Sequence, residues 1–265
     1  TRALNLQPSH PQTEALLHFL LATALERGDP PDLTGAIAEY GRVIPLRPDW
    51  ANARYNRGSA YLERYFAGGE PDLLDAAMAD FSWVIDTAPA FGDAFLKRGI
   101  ARYERNRPGD LEPAYADMTS ALARSPNSDE VYFNRGLLNI RRGDDQWRHD
   151  LARTLEQTPD DAAVHAALCR GHLMENEPIN ALKTCNRAQA LDPTISVRGA
   201  KGVAYALLGR SEDAVEELDA YLTWLDELPR TAHAPYSRAE VQAWIDALQA
   251  GDVPFDAAML SNLRN

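Results

Sequence analysis

The sequence predicts an all-α fold of stacked helical hairpins, and a recurring segment is the main observation behind this prediction. Three segments carry an aromatic or apolar residue followed by Asn or Lys and then Arg-Gly, with the glycines at Gly58, Gly99 and Gly136. A proline precedes each segment by a few residues, at Pro48, Pro89 and Pro126. A repeat of about 34 residues with this pattern indicates helical hairpins that bury one continuous core between neighbours.

These residues resemble the tetratricopeptide repeat (TPR) family, whose unit is a helix A, a turn and an antiparallel helix B. The clearest unit runs from Ala162 to Ile195, with His replacing two large aromatics and Cys replacing the small residue and the helix-B aromatic. Its signature positions are His165, Leu168, Cys169, His172, Ala181, Cys185, Ala188 and Pro193. The resemblance covers roughly Pro11 to Leu225. It implies a right-handed superhelix, or α-solenoid, of about six hairpins with atypical units at the ends.

The domain organisation follows from the repeats. Residues 1–10 are predicted to be the end of a preceding repeat or a linker, residues 11–227 the solenoid, and residues 228–265 a loop, a capping helix and a tail. Ser237 and Glu240 form a capping box that predicts a helix through Gln249, with an apolar stripe that covers the last repeat. Because the chain starts at Thr1 in mid-pattern, we expect a fragment of a longer protein.

Charge and composition restrict the partner. The formal net charge is -12, so phosphate backbones repel the chain and nucleic acid is not expected as a partner. A basic protein or peptide is the better electrostatic match. The sequence contains no run of eighteen apolar residues and shows no secretory signal, which favours the cytoplasm. Because we expect the N-terminus to be truncated or processed, export stays open. The excess of Arg over Lys suggests a bacterial source.

The resemblance implies a concave groove lined by successive A helices, where a peptide or protein segment would bind. The predicted groove residues are Asn52, Tyr55, Asn56, Ser59, Asp93, Leu96, Lys97, Ile100, Glu130, Phe133, Asn134, Leu137 and Arg170. Tyr55, Leu96 and Phe133 form an apolar series at one-repeat spacing, beside hydrogen-bonding side chains that suit an extended peptide. The alternative is that the repeated triplet is a structural variant without a ligand. The chaperone subgroup that clamps a carboxylate fits poorly, because its first Lys has no counterpart.

Each of the three repeated arginines is matched by an aspartate on the following helix B. The pairs are Arg57 with Asp80, Arg98 with Asp117, and Arg135 with Asp150. Anion binding is one interpretation. We favour a structural pair that fixes hairpin geometry, because a guanidinium used in this way has few donors left for a ligand.

Two cysteines and two histidines lie in the clearest repeat. His165, Cys169 and His172 share one helix face, and Cys185 is predicted to lie opposite them. They could form a tetrahedral zinc set in a zinc-stabilised sensor. These are also the packing positions of the repeat, so we expect neighbouring cysteines without metal, as thiols or as a disulfide.

No catalytic motif appears, so the sequence does not predict an enzyme or a cofactor. Glycine-rich phosphate loops, Gly-x-Ser-x-Gly and His-Glu-x-x-His are all absent from the sequence. The longer hairpin loops could bind a partner, because insertions on one edge of a solenoid often do. We favour a structural interpretation, in which they are extra turns of helix B capped by Asp32, Asp72 and Asp110. The prediction is a protein-interaction scaffold. The alternative is a regulatory or assembly module of a larger signalling or protease protein.

Overall fold

Thirteen α-helices and no β-strand make up the part of the chain that the computed structural model describes, residues 10–227, 236–256 and 259–260. The all-α prediction is therefore confirmed for these residues. The predicted end of a preceding repeat, most of the loop after residue 227 and the last residues of the tail lie outside them. Within the described ranges no helix combines the length and apolarity that crossing a bilayer requires.

The contacts divide the chain into two compact units, Thr1–Asn127 and Ser128–Asn265. This boundary falls inside the stretch 11–227 that the repeats predict as one solenoid. We call the two parts unit 1 and unit 2.

Unit 1 contains three helical hairpins in its described part. The helices are α1 (Pro11–Glu26), α2 (Leu33–Leu46), α3 (Ala51–Phe66), α4 (Asp72–Thr87), α5 (Gly92–Arg105) and α6 (Leu111–Arg124). Helix α1 packs on α2, α3 on α4, and α5 on α6, while α2 also packs on α3 and α4 on α5. Each helix therefore lies between its sequence neighbours, as expected for stacked hairpins.

Unit 2 contains three further hairpins and a final helix. Its helices are α7 (Asp129–Arg142), α8 (Trp147–Gln157), α9 (Ala162–Met174), α10 (Pro178–Leu191), α11 (Arg198–Leu207), α12 (Ser211–Glu227) and α13 (Arg238–Gln249). The predicted capping box opens α13, because Ser237 and Glu240 exchange the expected hydrogen bonds. Helix α13 buries Trp244, Ile245 and Leu248 and packs on α12. The predicted capping helix is confirmed.

Glycines allow the two helices of a hairpin to approach closely. A Cβ added at Gly58 on α3 would lie 2.8 Å from the Phe81 ring on α4. Gly99, Gly136 and Gly202 meet large helix-B side chains in the same way. The recurring glycine is thus a packing requirement of the hairpin.

Only one of the three predicted aspartate caps is correct. The Asp32 side chain accepts a hydrogen bond of 2.8 Å from the Gly35 backbone N–H and caps α2. Asp72 lies inside the first turn of α4, after Pro71 at the N-cap position. Asp110 precedes α6 but caps nothing, because its carboxylate accepts from Arg105 and from the Arg107 backbone N–H. The Arg105 guanidinium therefore binds the carboxylate oxygens that would otherwise accept from the first N–H groups of α6.

Candidate binding pocket

The predicted groove residues of unit 1 lie on α3 and α5, where several of them pack against the unit itself. The Tyr55 ring lies 4.8 Å from the Phe91 ring, and the Asn56 amide donates to the Tyr40 hydroxyl at 3.2 Å. Leu96 is 3% exposed, so the prediction that it presents apolar surface is wrong. The reason is that α5 packs against α3, α4 and α6, which leaves little of its surface open. Asn52 and Asp93 are exposed, and Ser59, Lys97 and Ile100 are half-buried.

The predicted groove residues of unit 2 divide into two groups. Glu130 is exposed, and the Asn134 amide donates to the Glu130 carbonyl of its own helix at 2.8 Å. Phe133, Leu137 and Arg170 instead line a common cavity. The structure therefore brings together three of the five groove residues predicted in unit 2.

This cavity, here called the unit 2 pocket, has a volume of about 370 Å³. Its lining comes from α7, α9, α11 with the residues just before it, α12 and Tyr236. The lining residues are Phe133, Leu137, Ala163, Ala166, Ala167, Arg170, Ile195, Ser196, Val197, Gly199, Ala200, Tyr221, Trp224 and Tyr236. Apolar and aromatic groups dominate, and polar groups are few. This composition is typical of ligand sites, whose volumes are about 300–1,000 Å³.

Arg170 is the single charged residue among the lining residues. Its guanidinium makes no hydrogen bond or ion pair with any atom in the described ranges. It lies close enough to Tyr236 to lower the pKa of that hydroxyl, although burial is the larger effect and raises the Tyr236 pKa to about 12. Tyr236 is therefore neutral at ordinary pH, and Arg170 supplies the charge of the pocket.

The N-terminal turn of α11 forms one wall of the pocket, through Gly199 and Ala200. Val197 precedes the helix and provides no side-chain cap for its first N–H groups. The Ser196 hydroxyl is buried and has no hydrogen-bond partner among the described atoms. A helix N-terminus carries partial positive charge. The pocket thus combines apolar walls with a cation, a hydroxyl and a helix N-terminus.

Hydrogen bonds hold the aromatic wall in place. The Tyr221 hydroxyl donates to the Tyr236 carbonyl at 3.1 Å and accepts from the Tyr236 backbone N–H at 3.0 Å. The Tyr236 ring packs edge-on against the Trp244 ring of α13 at 5.0 Å. Since Tyr236 stands just before α13, the capping helix helps to position this side of the pocket.

Solved structures with the same arrangement of hairpins share little sequence with this chain. PilW, a widely conserved type IV pilus biogenesis factor, matches with a TM-score of 0.66 at 18% identity, covering 86% of this chain and 97% of its own. A tetratricopeptide repeat protein from Parabacteroides merdae also gives a TM-score of 0.66, at 15% identity, covering 95% of this chain and 99% of its own. YrrB, a TPR protein with an unusual peptide-binding site, gives 0.55 at 20% identity, covering 69% and 89%.

The chain has the tetratricopeptide repeat fold. At these identities the likeness shows the fold alone. No family model and no curated protein matches the sequence.

The repeated arginines of this TPR fold are structural, as predicted. Nε and Nη2 of each arginine donate to both carboxylate oxygens of its aspartate, at distances between 2.6 and 3.0 Å, in the pairs Arg57–Asp80, Arg98–Asp117 and Arg135–Asp150. The three aspartates are at most 3% exposed. Such bidentate pairs cannot offer their guanidinium to a ligand without leaving a buried carboxylate unpaired.

The predicted proximity of the two cysteines is also confirmed. Cys169 on α9 and Cys185 on α10 form a disulfide, with their Cα atoms 5.1 Å apart. His172 is hydrogen-bonded to the Glu177 carboxylate at 2.6 Å, and His165 is hydrogen-bonded to the Pro159 carbonyl at 3.1 Å. The described ranges contain no cluster of three or more His, Cys, Asp or Glu suited to a metal. Because the Cys169 and Cys185 sulfurs are joined in a disulfide, the two cysteines and two histidines do not form the tetrahedral zinc site considered from the sequence.

Sequence reasoning missed Tyr221, Trp224, Tyr236 and Ser196 as parts of the pocket. It placed the groove on A helices alone, whereas α12 and Tyr236 supply three of the four aromatic residues that line the pocket. One signal was present: Tyr221, Trp224 and Tyr236 bring several large aromatics to the atypical last hairpin. Buried aromatics with a polar tip need a partner, and binding sites are rich in them.

Proposed function

We propose that this chain is a non-enzymatic protein-interaction module and that its unit 2 pocket receives an apolar side chain of a partner protein. The observation that carries the proposal is a cavity walled by Phe133, Trp224 and Tyr236 in which Arg170 is the only charged lining residue. Aromatic walls around a concave site provide the contact area of a binding hot spot. YrrB, which shares the fold, is itself described as having an unusual peptide-binding site.

Filling the pocket tests this proposal directly. Ala166 lines the pocket and lies on α9, so Ala166→Trp should occupy the volume that a partner side chain needs. Truncating the wall by Phe133→Ala should weaken the same partner by about 1–3 kcal/mol, as loss of an aromatic anchor does. Retention of partners from the native organism is compared for the parent and both variants by quantitative mass spectrometry.

A matched control separates loss of the pocket from loss of apolar surface in general. Ile179 on α10 is 72% exposed and does not line the pocket, so Ile179→Ala should retain every partner. Melting temperatures of all variants show whether the fold is intact. If Ala166→Trp folds and retains the same partners as the parent, the pocket is not the binding site.

We also propose that the protein works in an oxidising compartment, in place of the cytoplasmic location that the sequence favours. The Cys169–Cys185 disulfide supports this, because cytoplasmic reductants keep most thiols reduced. Rapid alkylation of the protein in its native cells, followed by intact mass measurement, tests the location. Two alkylated cysteines in the native protein would place it in a reducing compartment.

A further inference from the structure

We propose that helix α1 is the surface through which two copies of this chain associate, with the exposed face of α1 packed antiparallel against α1 of the second copy. This face, here called the α1 stripe, consists of Leu16, Leu20 and Ala24, which follow one another at intervals of four residues. Leu16 is 48% exposed and Leu20 is 56% exposed. The proposal concerns unit 1 and does not depend on the unit 2 pocket.

Helix α1 is apolar on both of its sides. Its buried side, which includes Ala15 and Ala22, packs against α2. The α1 stripe lies on the other side, because residues four apart in a helix lie one above another on the same face. A surface helix normally has polar residues on the face away from the core, and a helix that is apolar all round is normally buried. The α1 stripe is therefore a face that we expect to be covered.

The two leucines are particular to the first hairpin. Ala22 packs in one cluster with Tyr40, as Gly58 of α3 packs against the Phe81 ring, so the first two hairpins can be aligned at these residues. The alignment places both leucines at positions that are polar in the next three A helices. These positions hold Asn52 and Asn56 in α3, Asp93 and Lys97 in α5, and Glu130 and Asn134 in α7. The repeat itself therefore does not require leucine at either position.

The charges of α1 favour a second copy as the occupant. The net charge of -12 makes two copies repel each other, but the exposed positions of α1 from Thr13 to Arg27 contain no acidic residue. Arg27 ends this row, and its guanidinium makes no hydrogen bond or ion pair with a residue in the described ranges. Near the other end, the Glu14 side chain is 43% exposed and lies 3.9 Å from the His18 ring. The α1 stripe thus has a cation at one end and an accessible anion at the other.

An antiparallel pair of α1 helices brings these two ends together. With the two-fold axis at Leu20, Leu16 lies opposite Ala24 of the second copy, and Arg27 lies beside Glu14 of the second copy. The large side chain then fits beside the small one, as in packed helices, and each dimer contains two ion pairs. A parallel pair would instead place Arg27 against Arg27. The same surface on both copies makes the contact of a two-fold dimer, so α1 itself fits both the apolar row and its terminal charges.

Sedimentation velocity of the full chain at a series of micromolar concentrations tests the proposal. A contact made by one helix of each copy is at the small end of protein interfaces, so we expect a monomer–dimer equilibrium. Leu16→Glu/Leu20→Glu should be monomeric at every concentration, because it places carboxylates in the apolar row. Ile179→Glu is the matched control, since Ile179 is 72% exposed but lies on α10, and this variant should dimerise like the parent. Circular dichroism shows whether each variant is folded.

Exchange of the terminal charges tests the antiparallel register. Arg27→Glu and Glu14→Arg should each weaken dimerisation about tenfold, because every dimer contains two of these contacts. The two single variants change the net charge in opposite directions, so net charge alone cannot weaken both. The double variant Glu14→Arg/Arg27→Glu should recover the dissociation constant of the parent, because opposite charges meet again.

The results that overturn the proposal differ from one another. A dimer that persists in Leu16→Glu/Leu20→Glu shows that the α1 stripe is not the interface, and a double charge variant that does not recover overturns the antiparallel register. A parent that is monomeric at every concentration excludes a second copy as the occupant. If that monomer begins to dimerise in Leu4→Glu/Leu6→Glu, the N-terminal segment of the same chain covers the stripe; if Leu16→Glu/Leu20→Glu loses a partner protein, that protein covers it. None of these results bears on the unit 2 pocket, which Ala166→Trp tests separately.

Discussion

Reducing the Cys169–Cys185 disulfide should destabilise unit 2 by about 3 kcal/mol. The two cysteines are 16 residues apart, and closing a loop of about this length in the unfolded chain is worth about 3 kcal/mol in the loop-entropy model. Both residues are 0% exposed, so the reduced thiols remain in the core as small apolar groups and add little further cost. The predicted decrease in the free energy of unfolding therefore comes from loss of the cross-link alone.

Urea unfolding with and without reductant measures this loss. Far-ultraviolet circular dichroism follows the helices, and tryptophan fluorescence adds signals from Trp147, Trp224 and Trp244 in unit 2. Alkylation after unfolding confirms that the reductant has opened the bond. The double variant Cys169→Ala/Cys185→Ala is the control, and its unfolding midpoint should not respond to reductant. An unchanged midpoint in the fully reduced parent, or two alkylated thiols in the unreduced parent, would refute the reasoning.

Two further predictions concern buried charges. Asp150→Ala should lower the free energy of unfolding by about 3–5 kcal/mol, because Asp150 is 0% exposed and accepts hydrogen bonds from both Arg135 and Asn139. Asp219→Ala, on the exposed face of α12, is the control. A similar small loss of stability in both variants would contradict the account. Hydrogen bonding from Arg105 holds the pKa of the Asp110 carboxyl below its usual value. The pair therefore stabilises the fold fully at pH values above the pKa of the unfolded chain, about 3.9. This stabilisation is lost as the pH falls through the lower pKa of the folded state. Asp110→Asn should thus be less stable than the parent at pH 7 and approach it in strong acid, and a difference that grows on acidification would show the opposite sign.

Local patterns predicted much of this fold because each depends on residues close together in the chain. The repeated glycine fixes where two helices touch, and Ser237 with Glu240 fixes where α13 begins. The register of one hairpin was enough to predict that Cys169 and Cys185 are neighbours. Each Arg–Asp pair likewise joins two helices of the same hairpin.

The pocket was only partly predictable because its walls come from distant parts of the sequence. Phe133 and Tyr236 are about a hundred residues apart and meet only through the packing of several helices, which no local pattern encodes. Leu96 shows the opposite error: a position assigned to the groove by spacing is covered by neighbouring helices. At Asp110 the sequence offered a cap, but Arg105 competes for the same oxygens, and the competing contact depends on the turn geometry after α5.

Site-specific photocrosslinking tests the central claim most directly. Ala163 is exposed and lines the unit 2 pocket, whereas Ile179 is exposed on α10 away from it. With benzoylphenylalanine in place of Ala163, irradiation in the native organism should crosslink the chain to a partner protein. The same photoprobe in place of Ile179 should give no such product. Crosslinks from position 179 and none from position 163 would contradict the claim that the pocket is where this protein holds its partner.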